Sequence, residues 1–163
     1  HEIAQGSEFI EDGGSITINA SSDDAMNSLD SLNIVGVLVT ITHEDTETVN
    51  GPLCTVAEPP QDDTVEATIT HADLSAGEAD TNSFDFQLNW HNSSLVNTNV
   101  SNMTKADIES MLDGGGIGFG MHDLVIGVTV QNGGGLGCNS NDDGQDVSYT
   151  IELVSLDYSV NPA

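Results

Sequence analysis

The chain has 163 residues, enough for one domain with a single core, and 37% of them are hydrophobic, which excludes a disordered acidic tail. It contains 27 Asp and Glu residues against one cationic side chain, Lys105, so its formal charge at pH 7 is −26. This charge excludes nucleic acids and anionic lipid headgroups as partners, because both bind basic patches. No run of about 18 apolar residues occurs, so we expect no membrane span.

Carboxylates at this density repel one another at low ionic strength. Screening confines their repulsion to roughly 10 Å at 0.1 M salt and to about 3 Å at 1 M salt. The charge therefore predicts a medium with plentiful counterions, such as concentrated salt, acid or abundant divalent cations. Carboxylate sites that bind cations directly are the alternative explanation of the same composition.

The first 14 residues are polar and weakly patterned, and they end in Gly13-Gly14. This composition predicts a flexible or exchanged N-terminal segment over residues 1–14. A single β-sandwich domain is expected over residues 15–163, because no internal repeat or second domain is recognisable there.

Alternation of apolar and polar residues predicts strands along the domain. The predicted strands are a short run around Ile16 and Ile18, a β-branched run over residues 33–43, and runs over residues 64–71, 83–91, 123–131 and 146–158. The run over 33–43 is the most apolar, which predicts a central strand buried on both faces. The run over 83–91 carries Trp90 and is expected at the centre of the core. The last run is long enough to bend from one sheet into another.

One helix is predicted between the strands over 83–91 and 123–131. Thr104 provides the N-terminal cap, Asp107 supplies a carboxylate three positions later, and Gly114 ends the helix. Its apolar face is expected to pack on a sheet. The residues of that face are Ile108, Met111 and Leu112.

About seven strands and one short helix indicate an all-β fold, namely a β-sandwich of immunoglobulin-like or jelly-roll type. Cys54 and Cys138 are the two cysteines, and an even count favours a disulfide that ties two loops together. Two free thiols are the alternative.

Four acceptor sequons predict N-linked glycans on the surface. The acceptors are Asn19, Asn92, Asn99 and Asn102. The chain starts at His1 without Met, which we interpret as a mature form after removal of a signal peptide. With the disulfide, these features predict a secreted protein, extracellular or at the cell surface.

Residues 139–146 form the best candidate for a calcium loop, because oxygen-bearing side chains alternate before Gly144. The candidate ligands are Asn139, Asn141, Asp143 and Asp146. The match to a calcium loop is partial, since the first position is Asn and the twelfth is Thr150. A polar turn in an acidic protein is the alternative.

Catalytic motifs are absent from the sequence, so we expect no conventional enzyme. The minor alternative is a secreted copper enzyme, in which the amine and imidazole of His1 bind copper with one further histidine. The other histidines are His43, His71, His91 and His122. The first three of these lie at predicted strand ends, where they finish strands.

The acidic composition, with one lysine and no arginine, resembles that of secreted cell-surface proteins of halophilic or marine archaea. The resemblance covers the whole chain but is one of composition, without family motifs. It implies adaptation to salt and a place outside the cell.

A glycosylated β-sandwich without a catalytic site favours a structural subunit of an extracellular assembly, such as a filament, pilus, surface layer or coat. Copies of the chain would be joined by N-terminal strand exchange, as in donor-strand complementation. The expected subunit contacts are Ile3, Phe9, Ile10, Ile16 and Ile18. A calcium-assisted adhesion or glycan-binding module is the alternative.

Overall fold

The computed structural model describes residues 1–22, 34–43, 48–51, 63–71, 74–80, 86–91, 99–112, 120–131 and 139–155. These residues form two four-stranded antiparallel sheets, a two-stranded ladder and one short helix. The prediction of an all-β, sandwich-like fold with one short helix is confirmed.

The first sheet contains, in spatial order, β1 (Glu2–Glu11), β10 (Gly144–Ser155), β3 (Ile34–His43) and β7 (Phe86–His91). The second sheet contains β2 (Ser15–Ser21), β8 (Met121–Thr129), β5 (Thr64–His71) and β6 (Leu74–Asp80). The ladder pairs β4 (Thr48–Asn50) with β9 (Asn139–Asn141), and the helix is α1 (Lys105–Leu112). No helix in these ranges is long and apolar enough to cross a membrane.

Apolar side chains from both sheets meet in one core, as the alternating patterns predict. The fully or nearly fully buried apolar residues are Ile10, Ala20, Val37, Val39, Ile41, Val65, Ala67, Ile69, Leu124, Ile126, Val128, Val130, Val147, Ile151 and Leu153. Each large aliphatic side chain in this set stabilises the fold by roughly 1.5–3 kcal/mol relative to exposure.

The prediction that the strand over 33–43 is buried on both faces is wrong. Val37, Val39 and Ile41 are buried in the core, whereas Leu38 and Thr40 between them are half-buried. The strand is central within its sheet, between β10 and β7. In a two-layer sandwich only one face of a sheet packs on the other layer, so the outer residues keep contact with solvent.

The strand carrying Trp90 extends over Phe86–His91 and lies at an edge of the first sheet. The side chain of Trp90 is outside the described part of the structure, so its place in the core stays a prediction. The last strand, β10, pairs with β1 over residues 144–152 on one side and with β3 over residues 147–155 on the other. It therefore stays in one sheet over Gly144–Ser155 and does not use its length to bend into the other sheet there, and residues 156–158 lie outside the described part.

Residues 2–11 of the predicted flexible or exchanged segment form β1, which pairs with β10 of the same chain. The domain boundary predicted after residue 14 thus falls in the connection between the two sheets. Exchange of this strand between copies stays a prediction.

The helix begins with the predicted cap. The Thr104 hydroxyl donates to Asp107 Oδ2 at 2.7 Å, and the Asp107 backbone N–H donates to Thr104 Oγ1 at 3.2 Å. These reciprocal bonds satisfy groups that the first helical turn leaves without partners. Ile108 is half-buried, while Gly114 and the side chains of Met111 and Leu112 lie outside the described part.

Among the described residues, one carboxylate is buried. Asp63 is 1% exposed and lies just before β5. Its Oδ1 accepts from the backbone N–H of Gln131 at 2.9 Å, and its Oδ2 accepts from Nε2 of the buried Gln145 at 2.7 Å. Since Gln145 belongs to β10, this carboxylate links the second sheet to the first.

Replacing Asp63 should therefore destabilise the whole sandwich. Asp63→Ala leaves the buried Gln145 amide and the partly buried N–H of Gln131 without their acceptor, and it should lower the free energy of unfolding by about 3 kcal/mol. Asp63→Asn is the matched control, because its amide still offers an oxygen and can donate to Gln145 after the glutamine amide rotates. Urea unfolding of both variants in one fixed salt concentration measures the difference, and an Ala variant as stable as the native chain would contradict it.

The cap predicts a pH effect at α1. Hydrogen bonds from the Thr104 hydroxyl and backbone N–H lower the pKa of Asp107 below its ordinary value of 3.8. The ionised form is thus favoured in the folded state, so the cap contributes at neutral pH and is lost as the pH falls through the lowered pKa. In an NMR titration of the Asp107 carboxyl, Thr104→Val should raise this pKa, whereas Thr104→Ser should not.

Candidate functional site

Strand β1 is paired with β10 along nearly its whole length. Pairing runs from Ala4 opposite Ile151 to Glu11 opposite Gly144, with a bulge between Glu2 and Ala4. At its start, the His1 amine donates to the Leu153 carbonyl at 2.8 Å, and the Leu153 N–H donates to the His1 carbonyl at 2.6 Å. The strand is therefore fixed by main-chain hydrogen bonds along its whole length.

Side chains of β1 contribute little buried area. Ile10 is 2% exposed, and Ile3 and Ala4 pack partly buried against the core. Phe9 is 53% exposed on the outer side. The attachment of β1 thus depends on backbone pairing and on a few small apolar anchors.

Two glycines allow β1 to approach β10 closely. A Cβ at Gly6 would lie 2.6 Å from Tyr149 Oη, so the tyrosine ring covers the glycine. Gly144 has φ +151°, and a Cβ there would overlap the Ile10 carbonyl oxygen. Gly144 requires glycine in the strand pair as it stands, whereas a Cβ at Gly6 would need the Tyr149 ring to move aside.

Strand β1 pairs with β10, whereas hydrogen bonds attach the turn after β1 mainly to residues of the second sheet. The Asp12 N–H donates to the Asp143 carbonyl and the Gly13 N–H to the Val128 carbonyl, both at 3.0 Å. Asp12 Oδ1 accepts from the Val130 N–H at 2.9 Å, and Gly13 adopts φ +68°. The turn is thus fixed mainly to the second sheet, and the natural pivot lies between β1 and this turn.

The expected subunit contacts fall in two places. Ile16 and Ile18 of β2 lie opposite Ile126 and Leu124 and pack partly buried against the core, as Ile3 of β1 does, and Ile10 of β1 is buried in the core itself. Within a single chain, these four residues therefore face the chain's own interior. Phe9 differs because it faces solvent.

The candidate calcium ligands do not share one loop. Asn139 and Asn141 belong to β9, whereas Asp146 is an exposed residue of β10 opposite Phe9. Asp143 is exposed between the two strands. Within the described ranges, no three His, Cys, Asp or Glu residues are grouped as a metal site would need. Calcium binding stays a prediction.

Three of the four sequon asparagines are exposed, as a glycan acceptor must be. Asn19 is on β2, and Asn99 and Asn102 precede α1, with Asn102 at φ +61°. Asn92, Cys54 and Cys138 lie outside the described part of the structure. The use of the sequons and the predicted disulfide stay predictions.

His43, His71 and His91 are the last residues of β3, β5 and β7, so the prediction that they finish strands is confirmed. His1 is exposed, and its amine, which a copper site would need, donates to the Leu153 carbonyl. The copper hypothesis stays untested.

Sequence reasoning missed a pair of stacked histidines. The His122 ring is fully buried and stacks on His71, with ring centroids 4.2 Å apart and an angle of 17° between the planes. His71 Nδ1 lies 2.8 Å from the Met121 carbonyl oxygen. Since a carbonyl only accepts, this nitrogen carries the hydrogen. The available signal was that His122 is in phase with the buried Leu124 and Ile126.

The Asp63–Gln145 contact was also missed. Gln145 is in phase with Val147, which indicates an inward position, but no residue near Asp63 in sequence indicates its partner.

No protein-family model and no curated protein matches the chain. Function is therefore inferred from the geometry of β1 and its surroundings.

The close approach of Gly144 to β1 gives a test of this strand pair. Gly144→Ala should cost about 3 kcal/mol, because the new methyl group meets the Ile10 carbonyl at a strained backbone angle. Gly13→Ala should cost about 1 kcal/mol, since its Cβ meets nothing within 4 Å and only the positive φ is unfavourable. In hydrogen exchange, Gly144→Ala should release β1 amides before those of β8. Equal protection of the β1 and β8 amides in this variant would contradict the conclusion that Gly144 allows β1 to pack against β10.

Proposed function

We propose that this chain is a structural subunit of an extracellular assembly, such as a filament, pilus, surface layer or coat, whose copies exchange β1. In the assembly, β1 of one copy pairs with β10 of the next in the register that it has within one chain. The proposal is carried by one observation, namely that a ten-residue strand, outermost in the first sheet as described, is attached chiefly by main-chain pairing.

Exchange of this strand conserves its contacts with the sheet, although it opens the turn that the Gly14 N–H closes by donating to the Glu11 carbonyl. The pairing with β10, the burial of Ile10 and the seat of Gly6 under Tyr149 are the same whether β1 comes from its own chain or from a neighbour. The two arrangements therefore differ only in the conformation of the pivot and in the entropy of association. Because the free energies of the two arrangements are therefore similar, exchange of an identical element is an accessible route to assembly.

The fixed turn after β1 favours a directional assembly. Because Asp12 and Gly13 are bonded to Asp143 and Val128, opening the pivot would move β1 without disturbing β2. Each copy then gives one strand and receives one. Such a head-to-tail contact is heterologous, so it continues into an open polymer unless the rotation closes a ring.

An extracellular place is supported by composition and by the exposed sequons. With a formal charge of −26, copies approach each other only where counterions screen the carboxylates. The exposed acceptors Asn19, Asn99 and Asn102 would carry N-linked glycans without disturbing the sheets. We therefore place the assembly in a saline medium outside the cell.

The alternative function is a calcium-assisted adhesion or glycan-binding module. It is supported by carboxylates near one end of the sandwich, among them Asp12, Asp142 and Asp143. Strand exchange is preferred, because it uses contacts that the described residues already make, whereas the calcium loop would need Asn139, Asn141, Asp143 and Asp146 to converge.

A pair of cysteines distinguishes exchange from a chain that keeps its own strand. Ser7 and Ser148 are opposite each other on β1 and β10, with their hydroxyl oxygens 3.1 Å apart. In Ser7→Cys/Ser148→Cys, oxidation after assembly in molar salt should link successive chains. Non-reducing gel electrophoresis should then show a ladder of covalent multimers, because the partner of residue 7 belongs to a neighbouring chain.

Oxidation before assembly provides the control. A disulfide formed within one chain fixes β1 to the β10 of that chain. It should leave a folded protein that no longer polymerises. The single variants and the native chain, oxidised in parallel, should give no species beyond a dimer. If assembled material yields only internally linked monomers, β1 is not exchanged.

A further inference from the structure

Exposed apolar side chains and sequon asparagines lie close together in the described part of the structure. The large apolar side chains that are exposed there are Phe9, Val100, Met103, Met121 and Val125. Val100 directly follows the acceptor Asn99, and Met103 directly follows the acceptor Asn102. Met121 and Val125 are far from every sequon in sequence, so only the pairing of strands shows which acceptor lies beside them.

The pairing of β2 with β8 places Asn19 beside both of these residues. Asn19 is directly opposite Asp123, so Met121 and Val125 occupy the two diagonal positions on the same outer face of the second sheet. Diagonal neighbours in an antiparallel pair are about 7–8 Å apart. Met121 is 52% exposed and Val125 is 41% exposed. Four of the five exposed apolar side chains thus adjoin an acceptor, and Phe9 is the exception.

The groups around Val125 suit a carbohydrate. Thr17 on β2 and Thr68 on β5 are its cross-strand partners, and both are exposed. Threonine hydroxyls and the Asp123 carboxylate can form hydrogen bonds with sugar hydroxyls, while the C–H groups of a sugar ring can pack on an apolar side chain. An uncharged sugar is not repelled by Asp123, whereas a second copy would bring its own formal charge of −26 to this face. A glycan attached at Asn19 is therefore the occupant that this surface fits.

We propose that the N-linked glycan of Asn19 lies over β8 and covers Val125 and Met121 with the sugars nearest the chain. In the modification, Asn19 Nδ2 forms a bond to the anomeric carbon of an oligosaccharide and loses one amide proton. The phosphate group of a phosphate-linked oligosaccharide donor leaves. The proposal rests on the extracellular place proposed above but not on strand exchange, which involves β1 and β10.

This cover has its largest effect in concentrated salt. Carboxylates keep copies apart at low ionic strength, but at 1 M salt their repulsion reaches only about 3 Å. Salts such as sulfate also strengthen the association of apolar surfaces. Uncovered valine and methionine side chains would then bring copies together through the second sheet. The glycan prevents this contact and leaves association to β1.

NMR of the native glycosylated chain tests the contact directly. Mass spectrometry of proteolytic peptides should find Asn19 occupied, and nuclear Overhauser effects should connect protons of the first sugars with the Val125 methyl groups and the Met121 ε-methyl group. The Thr129 methyl group is the matched control, because Thr129 is also exposed on β8 but is four residues beyond Val125. An unoccupied Asn19, or effects no stronger at Val125 than at Thr129, would overturn the proposal.

Sedimentation equilibrium in molar sodium sulfate measures the shielding. Asn19→Gln should raise the association constant roughly tenfold, because Val125 and Met121 lose their cover. In a Met121→Gln/Val125→Thr background, the same change should alter the constant less than about twofold, since no large apolar side chain is uncovered. All variants carry Ser7→Cys/Ser148→Cys with the internal disulfide closed, where exchange cannot occur. Equal effects of Asn19→Gln in both backgrounds would refute shielding while leaving strand exchange intact.

Discussion

The hydrogen bonds of the buried Asp63 carboxylate connect the two sheets at the end of the sandwich where β10 begins. They bind Gln145 of β10 and the backbone of Gln131 after β8, so one side chain satisfies donors from both layers. A carboxylate in such a dry position is tolerated only because these donors surround it. The adjoining Gly144 receives the Ile10 end of β1, so the same few residues fix the core and position the N-terminal strand.

The acidic composition affects the surface and the core in different ways. Asp63 is the buried carboxylate of the described residues, and exposed carboxylates on β1 and β10 face solvent. Burial of aliphatic side chains supplies the stabilisation, and the surface charge mainly sets how closely copies of the chain can approach one another. Folding and association therefore respond differently to salt. Association depends directly on screening, whereas the core contacts are dry.

Strand β1 is held chiefly by its main-chain pairing with β10 of the same chain. In the proposed exchange, the β10 of another copy would supply the same register, and the contact would be heterologous and therefore directional. Ile10, which is buried in the core, would then be the main apolar anchor of each junction.

Alternation by itself determined the inward faces of β5 and β8, as Val65, Ile69 and Leu124 show, and the Thr104–Asp107 cap fixed the start of α1. These features depend on residues a few positions apart, so sequence contains them. The outward face of β3 was mistaken, because β-branched residues suit any strand whether or not a second layer covers it. Only the tertiary structure decided that β1 pairs with β10, that His122 stacks on His71, and that Asp63 meets Gln145. The last two residues are 82 positions apart in sequence, and which distant groups meet is set by strand order and register, which local patterns do not encode.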